Sequence, residues 1–246
     1  MPHREVVRIV RGAKTAVLMV HGIAGTPRHF DELVPLVPKN ISMAVIRLDG
    51  HGGSVGDFSR TSMKKWKAQV EEWVQNLSAD HERIIVVGHS MGTLLTARLV
   101  ERYPGIQGML LLNVPLKIWV SPGMMVRSMR FCFGKLRQEV PGEAALTRAA
   151  GVTAEPWLWK YLGWLPRFWE LLMLCRECRP LFGKLEIPCH VFQSEHDELV
   201  RTSTSRLLVG KPNVHHRVMV RSGHFDYAPE EFAKVLGCFE DLVKEE

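Results

Sequence analysis

The sequence predicts an α/β protein built on a doubly wound, mostly parallel sheet. Three observations lead there: short apolar runs of strand length recur along the 246 residues, helix-like segments separate several of them, and turn residues bound the runs. The runs are "AVLMV" (16–20), "MAVIRL" (43–48), "IIVV" (84–87), "MLLLN" (109–113), "HVFQ" (190–193) and "HRVMV" (216–220). Their hydrophobicity is continuous rather than alternating, which suits parallel strands covered on both faces. Helical patterns at 29–37, 62–77 and 91–102 supply the crossovers, which sheet sterics make right-handed. Near the start, "EVVRIVRG" reads as an edge strand.

The alternation stops after "LLLNVP", and about 65 residues pass before the next strand, too many for a structureless loop in a compact domain. This stretch reads as a helical insertion over one end of the sheet. The expected division is therefore a core of residues 1–114 and 181–246 and a cap, or lid, of residues 115–180. Five of the seven tryptophans fall in the cap: Trp119, Trp157, Trp159, Trp164 and Trp169. Large apolar side chains and adaptable methionines suit an acyl or aromatic group, although a small cap also needs a core of its own. Trp119, Met124, Trp157 and Trp164, together with Ile23, are the candidate substrate contacts.

Composition narrows the class further. Hydrophobic residues at 46% and charged residues at 24% are ordinary for a folded soluble chain and argue against long disorder. A net charge of +6 comes without a basic run or a nucleic-acid motif, so no nucleic-acid partner is expected. Between Pro115 and Pro180 ten Lys or Arg face five Glu, which suits either a solvated helix surface or attraction for an anion. No run of ~18 apolar residues reads as a membrane span, and the N-terminal stretch lacks a secretory pattern. With five cysteines at irregular spacing, this predicts free thiols and a cytoplasmic location. Cys175 and Cys178 form a C-x-x-C without a second pair, and packing explains them better than metal or redox chemistry.

The chemistry begins at "IIVVGHSMGTLL", where G-x-S-x-G falls between a buried strand and a helix, the context that motif requires. A sharp strand-to-helix turn strains the backbone at Ser90, and Gly88 and Gly92 leave room for chains to cross. The hydroxyl is thereby lifted out of the turn, and the Met91 amide sits where it can meet developing negative charge. A serine is scarcely nucleophilic at neutral pH, so a base and an orienting acid are required. Of eleven histidines, His224 in "VRSGHFDY" follows the last strand, in a loop able to reach over the strand ends. His21, His51, His89, His196, His215 and His216 suit structural hydrogen bonding or lie in or beside other elements. For the acid, "VFQSEHDELV" offers Glu195, Asp197 and Glu198 after a strand; Asp197 is best placed, and Asp226 lies too close to His224. The loop "HGIAGTP" lets Gly22 and Gly25 fold the chain so that the Ile23 amide faces the site as a second oxyanion donor.

With "HGIAGTP", "LDGHGGS", "GHSMG", "SEHDELV" and "SGHFDY" in this order, the chain resembles the α/β-hydrolase superfamily, most closely its compact bacterial carboxylesterases and monoacylglycerol-lipase-like serine hydrolases. The resemblance covers about 16–113 and 186–245. It implies an eight-stranded sheet flanked by helices, a helical cap after the sixth strand, and no metal or organic cofactor. It also implies Ser90 as nucleophile, Asp197 as acid, His224 as base, and the Ile23 and Met91 amides as oxyanion hole. The expected activity is hydrolysis of short- to medium-chain carboxylic esters, monoacylglycerols and aromatic acyl esters included. Thioester or carbon–carbon bond hydrolysis would use the same parts, and a non-catalytic binder would keep the same fold. The expected partner is a small ester, without stable membrane insertion, on a monomer or homodimer. One departure stands out: Asp49 precedes Gly-His-Gly where many relatives carry arginine.

Overall fold

The computed structural model describes residues 3–244. Along the chain come β1 (Val6–Arg8), β2 (Thr15–Val20), β3 (Ser42–Ile46), β4 (Gly53–Ser54), α1 (Val55–Ser59), α2 (Met63–Asp80), β5 (Arg83–His89) and α3 (Met91–Ala97). There follow β6 (Ile106–Leu112), α4 (Pro122–Cys132), α5 (Pro141–Ala149), β7 (Val152–Thr153) and α6 (Leu165–Cys178). The chain closes with β8 (Cys189–Ser194), α7 (Ser205–Leu208), β9 (Val214–Met219) and α8 (Pro229–Lys244).

The main sheet has the order β1-β3-β2-β5-β6-β8-β9, parallel throughout except for the antiparallel edge strand β1 on β3. Each apolar run overlaps a strand, and the N-terminal run holds the edge strand β1. The main sheet differs from expectation: among the described residues it has seven strands, not eight, and β4 and β7 pair in a separate two-stranded sheet. A single antiparallel strand opens the sheet, because the chain turns at Gly12, φ +77°, and enters β2 directly.

Burial follows the two-residue period of the strands. Ala16, Leu18 and Val20 face one core, which α2, α3 and α6 cover; Val17 and Met19 face the other, under α8. Trp164, Leu171 and Leu174, from the segment between β6 and β8, join the first of these cores. Cys175 and Cys178 lie in the same core, and burial pushes both thiols up to about 12. The predicted 29–37 helix is instead two short 3-10 turns, Pro27–Phe30 and Val34–Leu36. Pro35 removes a donor inside the pattern, and Pro38 blocks its continuation. The 91–102 helix ends early, at Ala97.

Parallel pairing sends the C-terminal ends of β2, β5 and β8 to one edge of the sheet. The loops that follow them carry residues 21–26, 90–91 and 195–200. Crossover topology thus collects the sequence motifs in one place.

Candidate active site

Ser90 directly follows β5 with φ +51° and ψ −123°, a backbone conformation that L-residues avoid. The surroundings enforce it. The Ser90 amide donates to Leu112 O at 2.9 Å, and the Thr93 amide and hydroxyl donate to Ser90 O at 3.0 and 2.7 Å. Gly92 is required sterically, since any Cβ there would collide with the carbonyl of Val20. A Cβ on Gly88 would approach the Thr93 amide nitrogen to 2.8 Å.

Asp197 and His224 form a buried pair. The His224 Nδ1 lies 2.7 Å from Asp197 Oδ2, and both side chains are almost wholly buried. The other carboxylate oxygen of Asp197 accepts the amides of Leu199 and Val200 at 2.8 and 2.7 Å. Held by these two amides, the carboxylate keeps its aim at the imidazole. The two neighbouring acids are placed differently: Glu195 is exposed, and Glu198 serves the histidine loop from outside. Glu198 accepts the His224 amide at 3.0 Å and the Arg127 guanidinium of α4 at 2.8 Å. Its carboxylate therefore ties α4 to the loop that carries the imidazole.

Ser90, His224 and Ile23 line one small cavity of about 20 Å³, together with Thr26, His29, His89, Ala149, Leu199 and Phe225. Gly22 brings the Ile23 loop so close to the serine that a Cβ at this position would stand 2.8 Å from Ser90 Cβ. The loop itself is locked by Gly25 N to Gly22 O at 3.1 Å and by His21 Nδ1 to Gly22 O at 2.8 Å. The Leu48 amide donates to His21 Nε2 at 3.1 Å, so this imidazole is neutral with its proton on Nδ1. Met91 opens α3, where the first amides of a helix have no intrahelical acceptor.

Three further imidazoles, His21, His29 and His89, line the site, and the His51 ring lies 4.8 Å from that of His21. The rings of His29 and His89 stack at 3.6 Å, and His89 lies 4.9 Å from His224. Burial, reinforced by His224, lowers His29 to about 3; burial, then His29 and His224, hold His89 well below its ordinary value. Burial likewise lowers His51 to about 4 and, with His51 beside it, takes His21 well down. His89 Nε2 donates to His224 O at 3.2 Å, and Asn113 Nδ2 reaches the same oxygen at 3.2 Å. Asn113, with φ +53°, also accepts the Ser194 amide at 2.8 Å, joining the ends of β6 and β8 to the His224 loop.

The other predicted substrate contacts are not brought here. None of Trp119, Met124, Trp157 and Trp164 lines the Ser90 cavity or the larger one beside it. Trp164 donates to Val55 O at 3.1 Å and packs 4.5 Å from the Phe58 ring, which makes it part of the main core. Met124 is buried at the start of α4, Trp119 lies exposed beneath the Arg201 guanidinium, and Trp157 is exposed. Apolar character made these residues candidate contacts; it could not say which neighbour each would face. The adjoining cavity, about 340 Å³, shares His29, Ala149 and Phe225 with the first and runs between α5 and α8. Among its lining residues Ala149 and Phe225 carry no sequence signal, whereas His29 lies in the turn after the "HGIAGTP" loop. At Asp49, the departure from the resemblance, the carboxylate accepts the Thr61 hydroxyl at 2.8 Å and pairs with Lys65 at 3.2 Å. Asp49 thus fastens the Gly-His-Gly loop to α2.

The chain is 38% identical over 103 residues to a thermostable monoacylglycerol lipase of Bacillus sp. (strain H-257), covering 42% of this chain and 41% of that one. It is 24% identical over 186 residues to a monoacylglycerol lipase of Homo sapiens, covering 74% of this chain and 48% of that one. The matches thus span less than half of either relative's length. Among solved structures, the monoacylglycerol lipase of Paleococcus ferrophilus superimposes with a TM-score of 0.67 at 16% identity, covering 98% of both chains. A structure from work on two metagenome-derived lipolytic enzymes gives 0.74 at 17% identity, covering 100% of this chain and 98% of that one. At such identities these two likenesses speak to the fold, which is that of the α/β-hydrolases. Residues 11–223 match the family described as serine aminopeptidase, S33, and the chain belongs to that family.

Proposed function

We propose that this protein is a serine carboxylesterase acting on short- to medium-chain carboxylic esters, with monoacylglycerols and aromatic acyl esters within its range. The carrying observation is the pair His224 Nδ1–Asp197 Oδ2 at 2.7 Å, opening on the cavity that also holds the strained Ser90. The names of the two monoacylglycerol lipase relatives support a glycerol ester as substrate.

In this reading Ser90 Oγ attacks the ester carbonyl while His224 Nε2 takes its proton, and Asp197 stabilises the imidazolium. The Ile23 and Met91 amides hold the tetrahedral oxyanion. Collapse sends the proton from His224 to the departing alcohol, leaving an acyl group on Ser90. Water, deprotonated by the same imidazole, then releases the acid. A cavity of about 20 Å³ holds little more than one water molecule, so the bulk of the substrate occupies the neighbouring 340 Å³ space. There Ala145, Arg148 and Ala149 of α5 form one wall, and residues 115–180 act as the cap. The protein works in the cytoplasm as a monomer or homodimer, on a small ester and without a bound cofactor.

Labelling with a fluorescent fluorophosphonate and hydrolysis of 4-nitrophenyl butyrate test this reading together. The parent should label and turn over, and Ser90→Ala should do neither while unfolding at the same temperature. Undiminished hydrolysis by Ser90→Ala would remove the serine from the mechanism. A folded parent that neither labels nor hydrolyses any ester in a panel of acyl and alcohol sizes would make the protein a binder.

A further inference from the structure

Helix α6 carries the same apolar spacing twice. Leu171, Leu174, Cys175 and Cys178 form a stripe at i, i+3, i+4 and i+7, and all four are buried in the main core. Leu165, Phe168, Trp169 and Leu172 repeat that spacing six residues earlier and are exposed. Six residues turn a helix by about 240°, so the second stripe looks away from the core. Leu165 and Trp169 are each 62% exposed, and just before the helix Leu162 reaches 65% and Trp159 66%. A contiguous set of bulky apolar side chains of this kind is unusual on a free surface and marks a place of contact.

The stripe borders a groove of about 430 Å³, and Trp169 and Leu172 belong to both. The groove's charged lining consists of Lys117, Arg176, Arg179 and Arg201, with no carboxylate among its residues. Arg179 is anchored by its Nε donating to Leu116 O at 2.9 Å, and the Arg201 guanidinium lies 5.8 Å over the Trp119 ring. The combination selects its occupant. A protein partner would have to match aromatics and four cations at once, whereas an anionic bilayer offers acyl chains to the stripe and phosphates to the groove. Aromatic side chains settle at the interface between headgroups and chains, and basic residues beside them add electrostatic attraction.

We infer that this face of α6, with the segment around Lys117 and Arg201, docks the protein peripherally on an anionic phospholipid surface. Trp159, Leu162, Leu165 and Trp169 enter the interfacial layer, and the groove cations take headgroup phosphates. Nothing crosses the bilayer, and no helix among the described residues is long and apolar enough to do so. The inference goes beyond the ester-hydrolase reading, because adsorption requires no turnover.

Co-sedimentation with vesicles tests it, using phosphatidylcholine alone and an equal mixture of phosphatidylcholine and phosphatidylglycerol. The parent should bind the mixed vesicles, release them as salt is raised, and bind phosphatidylcholine much more weakly. Each basic side chain near an anionic surface strengthens binding by roughly fivefold, so the triple variant Lys117→Gln, Arg176→Gln, Arg201→Gln should lose on the order of a hundredfold. Arg176→Gln alone, at an exposed position, should lose about fivefold if the triple variant fails to fold. Leu165→Ser with Trp169→Ser should weaken binding to both vesicle types. Circular dichroism checks folding independently of activity. Equal binding by parent and charge variants, or no binding of the parent to either vesicle, would overturn the inference. So would a parent dimer in gel filtration that the Leu165→Ser, Trp169→Ser variant converts to monomer, since the face would then belong to a second copy.

Discussion

Replacing Gly22 by alanine tests the geometry of the site with one carbon atom. The new Cβ would stand 2.8 Å from Ser90 Cβ, 3.3 Å from His89 O and 3.4 Å from His89 Nδ1. Carbon atoms meet without strain at ~3.5 Å, so the Gly22 loop and the serine must separate by about 0.7 Å. Neither side yields freely. The loop is held by His21 and Gly25, and Ser90 is held by Leu112 and Thr93. Overpacking of this kind costs about 1–3 kcal/mol, and in a chain of this length each kcal/mol lowers the melting temperature by about 2–4 °C. In the proposed mechanism the displacement falls between the Ile23 amide and the reacting oxygen. A misplacement near 1 Å there costs roughly 10²-fold in rate. We therefore expect Gly22→Ala to remain folded, with kcat for 4-nitrophenyl butyrate reduced ~30–300-fold and KM changed far less. Gly237→Ala is the control. Gly237 is exposed within α8 and a Cβ there meets nothing within 4 Å, so this change should add about 0.5–1 kcal/mol of stability and leave turnover alone. A Gly22→Ala enzyme with kcat within twofold of the parent would refute the placement of Ile23 in the oxyanion hole.

Other outcomes follow from the same geometry. Glu198→Ala should lower kcat about 10–100-fold with little change in KM, because the His224 amide and Arg127 lose a shared acceptor; Glu198→Gln, which keeps one acceptor oxygen, should recover most of the rate in steady-state assays. Trp164→Ala should cost ~3–5 kcal/mol in urea unfolding, whereas Trp157→Ala, at an exposed position, should stay within about 0.5 kcal/mol of the parent. His51 is held neutral to about 4 in the fold but takes up a proton near 6.5 once unfolded. The unfolded chain therefore binds more protons in that window, and stability should fall as pH drops from about 6.5 towards 4, by up to about 1.4 kcal/mol per pH unit for this group. Urea melts across the window should show a shallower slope for His51→Asn, and an unchanged slope would contradict the neutral, buried imidazole.

What the chain determined unaided is whatever physics keeps local. Continuous apolar runs specify strands covered on both faces, and "GHSMG" at a strand end specifies a strained turn, because sterics within a few residues leave no other course. The parallel sheet then carries the His21, Ser90 and Asp197 loops to one edge, so the order of motifs was enough to name the residues that gather there. Proline chemistry is also local, yet an apolar period masks Pro35 and Pro38, and two 3-10 turns stand where that period predicts a helix. The N-terminal edge is a different matter, since one antiparallel strand or two depends on how far the chain runs before it turns at Gly12.

Tertiary packing alone decided the rest. Trp164 and Trp157 look alike in sequence, but one fills the core beside Phe58 and the other faces solvent, because the burial of Trp164 depends on Val55, a neighbour 109 residues away. Likewise Asn113 and Glu198 gain their importance from reaching the His224 loop, 111 and 26 residues distant. Periodicity records that a helix has an apolar face without recording what that face will meet. For that reason the loops that meet at one end of the sheet could be read from order along the chain, while the cavity beside Ser90, and the outward stripe on α6, emerge only once every surface has been given its neighbours.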